Sequence, residues 1–349
     1  MMFASDNASG ATPEILAAIA EAETGYAMPY GNDAMTAQAV ERVREVFEAP
    51  EAGVYFVATG TAANALALAC LCPPWSTIYC HRVAHIEEDE CGAPEFYTGG
   101  AKLTLLDGDD AKMTEAGLAA AITGSGPRSV QNVQNGALSL TQATEAGAAY
   151  SLDEVRALAG IARNNGLPVH MDGTRLANVL ARQKVSPADM TWRAGIDILS
   201  LGATKNGALG AEAVVIFDPE RAWEFELRRK RGGHLFSKMR FLSVQMNAYL
   251  TDELWLRLAN HANTMADRLS EGLATVPDVR MTNSIGANVL FPEITLAQHK
   301  RLQAAGAQYY TMTPFDAGGP EDQRLKIRLV TSFRTREEDV DGFLQGLTG

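Results

Sequence analysis

The sequence predicts an α/β fold, a mainly parallel sheet flanked by helices with a smaller α+β domain at the C-terminal end, and three observations carry the prediction. Strand-like and helix-like stretches alternate from Val54 to Leu180, the pattern of a parallel sheet with helices on both faces. Two further apolar runs, at 196–201 and 213–217, flank a Gly-rich turn. After one long amphipathic helix, roughly 238–273, the texture changes to short strands and helices. Two domains are therefore expected, 1–245 and 246–349.

The elements follow in order. Residues 5–10 (SDNASG) form a polar arm, and Thr12 as N-cap with Pro13 at the first helical position starts a helix. Beyond residues 26–33 (YAMPYGND) a second amphipathic helix runs to about Phe47. A strand at 54–57 meets Thr59, Gly60 and Thr61, and an Ala- and Leu-rich helix follows. This turn gathers backbone N–H groups, the positive end of a helix dipole and the Thr61 hydroxyl, a setting that suits a phosphate monoester. It has neither the Walker nor the GxGxxG spacing, and strand-to-helix turns use such residues routinely.

His81 and His85 lie four apart, ahead of Glu87, Glu88, Asp89 and Glu90. On a helix, His81, His85 and Glu88 would share a face suited to a metal. Ile78 and Val83 instead mark a strand-like run, on which residues four apart are separated by about 13 Å. The expectation is no metal, and a histidine that lines a pocket or core. A strand at 103–106, a helix at 113–122 and a strand at 138–140 come next, then a helix from Ser151 with Glu154 three residues on as a capping box. The second domain shows strands near 288–291 and 325–330 and helices near 297–305 and 337–347.

Chemistry concentrates in two stretches. Residues 196–210 (IDILSLGATKNGALG) put Lys205 at the tip of a strand-and-turn. Burial or a neighbouring cation lowers a lysine pKa toward the nucleophilic free amine, which is how proteins prepare an imine-forming lysine. A turn lysine in water is the other reading of this stretch alone. In residues 167–180 (LPVHMDGTRLANVL) a strand ends at Asp172, and Gly173 and Thr174 open a helix carrying Arg175. A carboxylate at that end of a parallel strand sits where α/β sheets bind ligands. It could keep a pyridine nitrogen protonated, which makes pyridoxal phosphate (PLP) an electron sink. Asp172 also suits a helix N-cap, and the two roles are compatible.

Composition bounds the rest. The 349 residues are 46% hydrophobic, with no apolar run near ~18 residues and no signal-like N-terminus, so a cytoplasmic protein without a membrane span is expected. A net charge of −12, with residues 228–231 (RRKR) the one basic block, argues against nucleic acid and anionic membranes as partners. Cys70, Cys72, Cys80 and Cys91 lack CxxC spacing and read as reduced thiols.

The strand-ending Asp172, Lys205 and the Gly60-Thr61 turn are together the three contacts a PLP enzyme needs. Over essentially its whole length the chain resembles the low-specificity L-threonine aldolase family, fold type I PLP enzymes with a mainly parallel seven-stranded sheet. The resemblance rests on Ser5-Asp6, TGTAAN at 59–64, His85 with Glu90 and Gly92, HMDGTR at 170–175, the Lys205 turn, the basic GG segment with Met239-Arg240, and RLVTSF at 328–333. It implies that Lys205 forms the imine with PLP, Asp172 pairs with the pyridine nitrogen and His85 stacks on the ring. Gly60 and Thr61 resemble the phosphate cradle, joined by Arg240 from a neighbouring subunit. Ser5, Arg175 and Arg328 resemble groups that bind the substrate carboxylate or the cofactor's phenolic oxygen, and Tyr30 with Asp33 match a YGxD element near the site.

The implied reaction is retro-aldol cleavage of L-3-hydroxy-α-amino acids to glycine and an aldehyde, in a homodimer or homotetramer with interfacial sites. The sequence departs from the family at 141–144 (TQAT), where Thr144 stands for a second site histidine. It departs again in the longer basic segment GGHLFSKMR. Both features resemble a subgroup that includes phenylserine-type aldolases. His85 is then the expected base for the β-hydroxyl, with Glu90 orienting it. Other PLP chemistry on the same scaffold, such as β-elimination, racemisation or transamination, is the alternative. A hydrolase with metal at His81, His85 and Glu88, and a non-enzymatic binding protein, lie further off.

Overall fold

A computed structural model of the chain describes residues 1–124 and 129–348. Seven strands form the large sheet: β1 Gly53–Val57, β2 Ser76–His81, β3 Lys102–Leu106, β4 Gln134–Thr141, β5 Val169–Gly173, β6 Ile198–Gly202 and β7 Glu212–Ile216. Their order is β1-β7-β6-β5-β4-β2-β3. β3, β2, β4, β5 and β6 run parallel, while β7 is antiparallel to both of its neighbours, β6 and β1. The central strands are apolar on both faces because both faces are covered. Leu199 and Val215 pack into one apolar layer with Tyr150, Leu158 and Trp255. Ile198, Val214 and Ile216 point into the other, under the helix Gly60–Leu71.

Local chemistry accounts for the element boundaries. Thr12 caps the helix Pro13–Ala22 and Asp33 caps Ala34–Val46, each accepting a first-turn N–H. Thr59 does the same for Gly60–Leu71, and Ser151 with Glu154 forms the expected capping box on Leu152–Asn164. Asp33 is thereby a structural cap, its second oxygen taken by the Thr36 hydroxyl at 2.8 Å.

The smaller sheet is antiparallel, in the order β11 Tyr310–Thr311, β12 Arg324–Val330, β10 Pro292–Thr295 and β8 Arg280–Met281, with β9 Val289–Leu290 on β12. Helices Leu296–Ala304 and Glu337–Thr348 cover it.

The amphipathic stretch expected as one long helix is two, Arg240–Leu250 and Leu254–Leu273. Asp252 and Glu253 break it with φ of 50° and 54°, a left-handed turn that no continuous helix admits. The division expected at 245/246 falls inside Arg240–Leu250. Packing changes hands further on, along Leu254–Leu273: Trp255 and Ala259 belong to the large core, Met265 and Leu269 to the small one. The N-terminus also crosses over, with Phe3 buried in the small core and Met2 bridged to Gln308. Among the described residues, no helix is long and apolar enough to cross a membrane.

Candidate active site

Strand β6 ends at Gly202, which lies so close to Thr174 that a Cβ there would meet its carbonyl oxygen at 2.6 Å. The close approach brings the Lys205 turn beside Asp172. The turn itself, Thr204–Asn206, is pinned at both ends. The Ala203 N–H donates to Glu212 Oε2 at 2.9 Å and the Ala211 N–H to Thr204 Oγ1 at 3.2 Å, while Asn206 Nδ2 donates to the Tyr249 hydroxyl at 2.8 Å. Gly207, at φ 112°, turns the chain back into β7.

Lys205 is half-buried and makes no hydrogen bond or ion pair among the described residues. Burial first, and the Arg175 charge after it, holds its pKa below the usual lysine value. An amine in that state is a nucleophile in waiting.

Asp172 ends β5 fully buried. Its Oδ1 accepts from the Thr174 N–H at 3.0 Å and hydroxyl at 2.6 Å, and its Oδ2 from Asn64 Nδ2 at 3.0 Å. Burial alone would raise its pKa, but His85, the Thr174 hydrogen bond, His170 and Lys205 outweigh burial and keep the carboxylate charged. It caps no helix. The helix Leu176–Gln183 starts two residues later than its expected opening at Thr174, and Arg175 stands just before it rather than within it.

Asn64, from the first turn of Gly60–Leu71, also donates to Glu90 Oε1 at 2.8 Å. That same oxygen meets His85 Nδ1 at 2.9 Å. The Glu90 hydrogen bond raises the His85 pKa against the effect of burial, favouring the imidazolium. His85, Glu90 and Asp172 place ligand-type atoms within 4.8 Å of one another. An amide N–H of Asn64 sits on both carboxylates, so those oxygens are already engaged by a donor where a cation would need them free. The His81, His85 and Glu88 grouping does not form. His81 ends β2 and turns Nε2 to the Gly108 carbonyl at 3.1 Å, whereas His85 opens the short helix His85–Glu88.

Two cavities meet at Lys205 and His85. The smaller, about 250 Å³, is lined by Asn7, Thr59, Gly60, Thr61, Asn64 and Thr174. The first amides of a helix lack intrahelical partners, so Gly60 and Thr61 offer N–H groups to an anion here. The larger, about 710 Å³, is lined by Ser5, Arg175, Arg328, Glu145 and Tyr310 among others. Ser5, Gly60, Thr61, His85, Asp172, Arg175, Lys205 and Arg328 are thus brought together. Tyr30 and Arg240 line neither cavity. Tyr30 is 45% exposed with Lys230 Nζ 4.7 Å from its ring centroid, and the Arg240 guanidinium lies 4.9 Å from the Phe241 ring.

Arg175, expected to bind the substrate carboxylate or the cofactor's phenolic oxygen, uses its Nε and Nη2 to grip Asp6 at 2.8 and 3.0 Å in a buried pair, so those two N–H groups are engaged within the protein. Arg328 is freer, its guanidinium donating among the described residues only to the Ala4 carbonyl, at 3.3 Å. Burial, then the Arg175 charge, lowers its pKa, so it gains from an arriving carboxylate.

The family model described as Beta-eliminating lyase matches residues 2–292. The chain belongs to that family. Low specificity L-threonine aldolase of Pseudomonas aeruginosa is 41% identical over 309 residues, 88% of either chain. The enzyme of that name from a Pseudomonas species is 40% identical over 338 residues, covering 97% of this chain and 94% of its own. Among solved structures, threonine aldolase of Leishmania major superposes with a TM-score of 0.91 at 28% identity, covering 99% of this chain and 98% of that one. The large sheet and small antiparallel domain are the fold type I arrangement the sequence predicted.

Sequence reasoning gave no role to three residues of this family member's site. Asp6 and Asn64 lay inside motifs already noted, SD and TGTAAN; Asn64 is a polar residue between alanines, whereas Asp6 sits among the other polar residues of the N-terminal arm. Glu145 follows Thr144, the site of the departure from the family, and carried no other signal.

Proposed function

We propose that this chain is a PLP-dependent lyase that splits L-3-hydroxy-α-amino acids of the L-threonine, L-allo-threonine and L-phenylserine type into glycine and an aldehyde. The observation that carries the reading is the half-buried Lys205 amine, unpartnered among the described residues, between a charged buried carboxylate, Asp172, and a helix N-terminus at Gly60. Those three groups fit PLP: an amine for its aldehyde, a carboxylate to accept from its protonated ring nitrogen and N–H groups for its phosphate. Bound there, PLP would supply the sink for the electron pair released when Cα–Cβ breaks.

The protein's own groups do the rest. Asp172, oriented by Thr174 and Asn64, would hold a proton on the ring nitrogen, and His85, its Nδ1 fixed by Glu90, would line the ring's site. Arg328 binds the substrate carboxylate, aided by the Ser5 hydroxyl, while Arg175 contributes its remaining N–H edge. Tyr30 and Arg240 serve a neighbouring protomer's site in a homodimer or homotetramer. The exposure of Tyr30, the position of both residues outside the cavities at Lys205 and the family resemblance support that arrangement.

The test is a product assay on the PLP-loaded protein with resolved stereoisomers of threonine and phenylserine. Stoichiometric glycine and aldehyde from the L-isomers is the expected result. Ammonia with an oxo acid instead would overturn the retro-aldol reading in favour of β-elimination.

A further inference from the structure

The reaction proposed above needs a base for the β-hydroxyl, and the residues first in line are poorly placed. Thr144 is buried and gives its hydroxyl to the Asp110 carbonyl at 2.7 Å, outside the Lys205 cavity. His85 has its Nδ1 taken by Glu90 at 2.9 Å, which leaves only the Nε2 edge of its ring to act.

Glu145 lines the larger cavity beside Lys205, His85, Arg175 and Arg328, and its charge bears on all four. The charges acting most on Lys205 are those of Arg175, Asp6, Asp172 and Glu145. Asp6 is bound to Arg175 and Asn288, and Asp172 to Thr174 and Asn64. Of the three carboxylates, Glu145 alone makes no hydrogen bond or ion pair among the described residues. Of the other carboxylates on that cavity wall, Asp110 is taken by the Ser284 hydroxyl, and Glu88 and Asp89 are not among the charges that act most on Lys205.

The loop that presents Glu145 is held from both domains. The Thr144 N–H donates to the Ala148 carbonyl at 2.8 Å and the Gly147 N–H to the Thr144 carbonyl at 2.9 Å. The Gln142 side chain is bonded to both main-chain groups of Tyr150, at 2.8 and 3.0 Å. From the small domain, Asn283 Nδ2 donates to the Ala146 carbonyl at 2.9 Å and the Gly286 N–H to the Gly147 carbonyl at 2.8 Å. A carboxylate with no partner among the described residues, on a loop held by six hydrogen bonds, is preorganised for proton transfer.

We propose that Glu145 is the general base that takes the β-hydroxyl proton of the substrate, directly or through one water. As the O–H bond breaks, its electron pair forms the second bond of the aldehyde carbonyl and its proton passes to a Glu145 oxygen. The Cα–Cβ pair stays with the glycine half, which takes a proton from the Lys205 ammonium and leaves the free amine. Water returns the Glu145 proton to that amine, closing the balance at one glycine and one aldehyde. This assignment rests on the proposed aldolase reading.

The experiment compares wild type, Glu145→Gln and Glu145→Asp as PLP-loaded proteins. Three quantities are read: kcat for L-threonine and L-phenylserine cleavage, the glycine dissociation constant from cofactor absorbance, and exchange of the glycine α-hydrogen with D₂O by NMR. Glycine has no β-hydroxyl, so a base for that group is irrelevant to the last two. Glu145→Gln is expected to lose about 10²–10⁴-fold in kcat while binding and exchanging glycine as wild type does, with Glu145→Asp retaining part of the rate. Cleavage within a few-fold of wild type in Glu145→Gln, or exchange that falls in step with cleavage, would overturn the assignment. Wild-type protein that exchanges glycine but cleaves neither substrate would overturn the aldolase reading itself, a result distinct from either.

Discussion

Arg175 and Asp6, 169 positions apart, form a buried two-point ion pair, with Nε to Oδ2 at 2.8 Å and Nη2 to Oδ1 at 3.0 Å. Asn288 of the small domain adds a hydrogen bond to Oδ2 at 3.1 Å, so a single carboxylate ties the N-terminal arm to both domains. Burial would raise its pKa, but Arg175 outweighs burial and keeps it charged. Removing it strands the Arg175 guanidinium beside Lys205 and Arg328, two further positive groups. Breaking one side of such a buried pair costs roughly 3–5 kcal/mol. Asp6→Ala should therefore lower the melting temperature sharply, and Asp6→Asn less so, because the amide oxygen can still accept one bond. Calorimetry that finds Asp6→Ala as stable as wild type would show the pair to be replaceable by solvent.

Lys205 offers a cleaner test of the cofactor assignment. Lys205→Ala removes the amine but leaves the turn's anchors, Glu212, Thr204 and Asn206, in place. Turnover should vanish, and PLP should dialyse away in conditions under which wild type keeps it. Near-normal turnover in this variant would sink the mechanism, and retention of a visible cofactor band after dialysis would move the attachment elsewhere.

Asn64 spans the two carboxylates that flank His85, and its single side-chain nitrogen serves both Glu90 and Asp172. In Asn64→Ala both buried acceptors lose a donor, at about 1–3 kcal/mol for a group left unsatisfied. If that cost is felt where Asp172 holds the ring nitrogen, kcat/KM should drop about 10- to 100-fold, since each 1.36 kcal/mol is tenfold in rate. Asn64→Asp should be worse, because a third negative charge would face the other two. Steady-state kinetics and PLP titration of both variants check the order.

The architecture was legible because its signals are local. Alternating apolar runs, the Thr12 and Ser151 caps and the Gly-rich turns each depend on neighbours a few residues away, and all stand where expected. Lys205, Asp172 and Gly60 were legible for the same reason, as strand ends and turns of a parallel sheet. The Arg175–Asp6 pair and the Asn64 bridge were not, since each joins segments more than 100 positions apart and nothing local says which polar groups will share a proton. The break at Asp252 and Glu253 escaped because neither residue is a helix breaker. The left-handed turn is imposed by packing Leu254–Leu273 across both cores.

Glu212 gives the protein a pH signature that can be isolated. It begins β7 fully buried, accepts the Ala203 N–H, and burial pushes its pKa from 4.5 to about 7 against the pull of Thr204 and Ala203. An acid whose folded-state pKa is raised keeps its proton longer in the native state than in the unfolded chain. Between pH 4.5 and about 7 the native state thus binds more protons, and stability falls as pH rises through that window. The full gap corresponds to roughly 3 kcal/mol, constant above it. His85 and other groups titrate nearby, so the comparison must be with Glu212→Gln, which keeps an acceptor for Ala203 but has no proton to lose. The stability advantage of Glu212→Gln over wild type should grow from pH 4.5 to 7 and level off beyond. Urea unfolding at four or five pH values would reveal it, and an advantage that stays flat with pH would mean that Glu212 is charged, and tolerated, in the folded protein throughout.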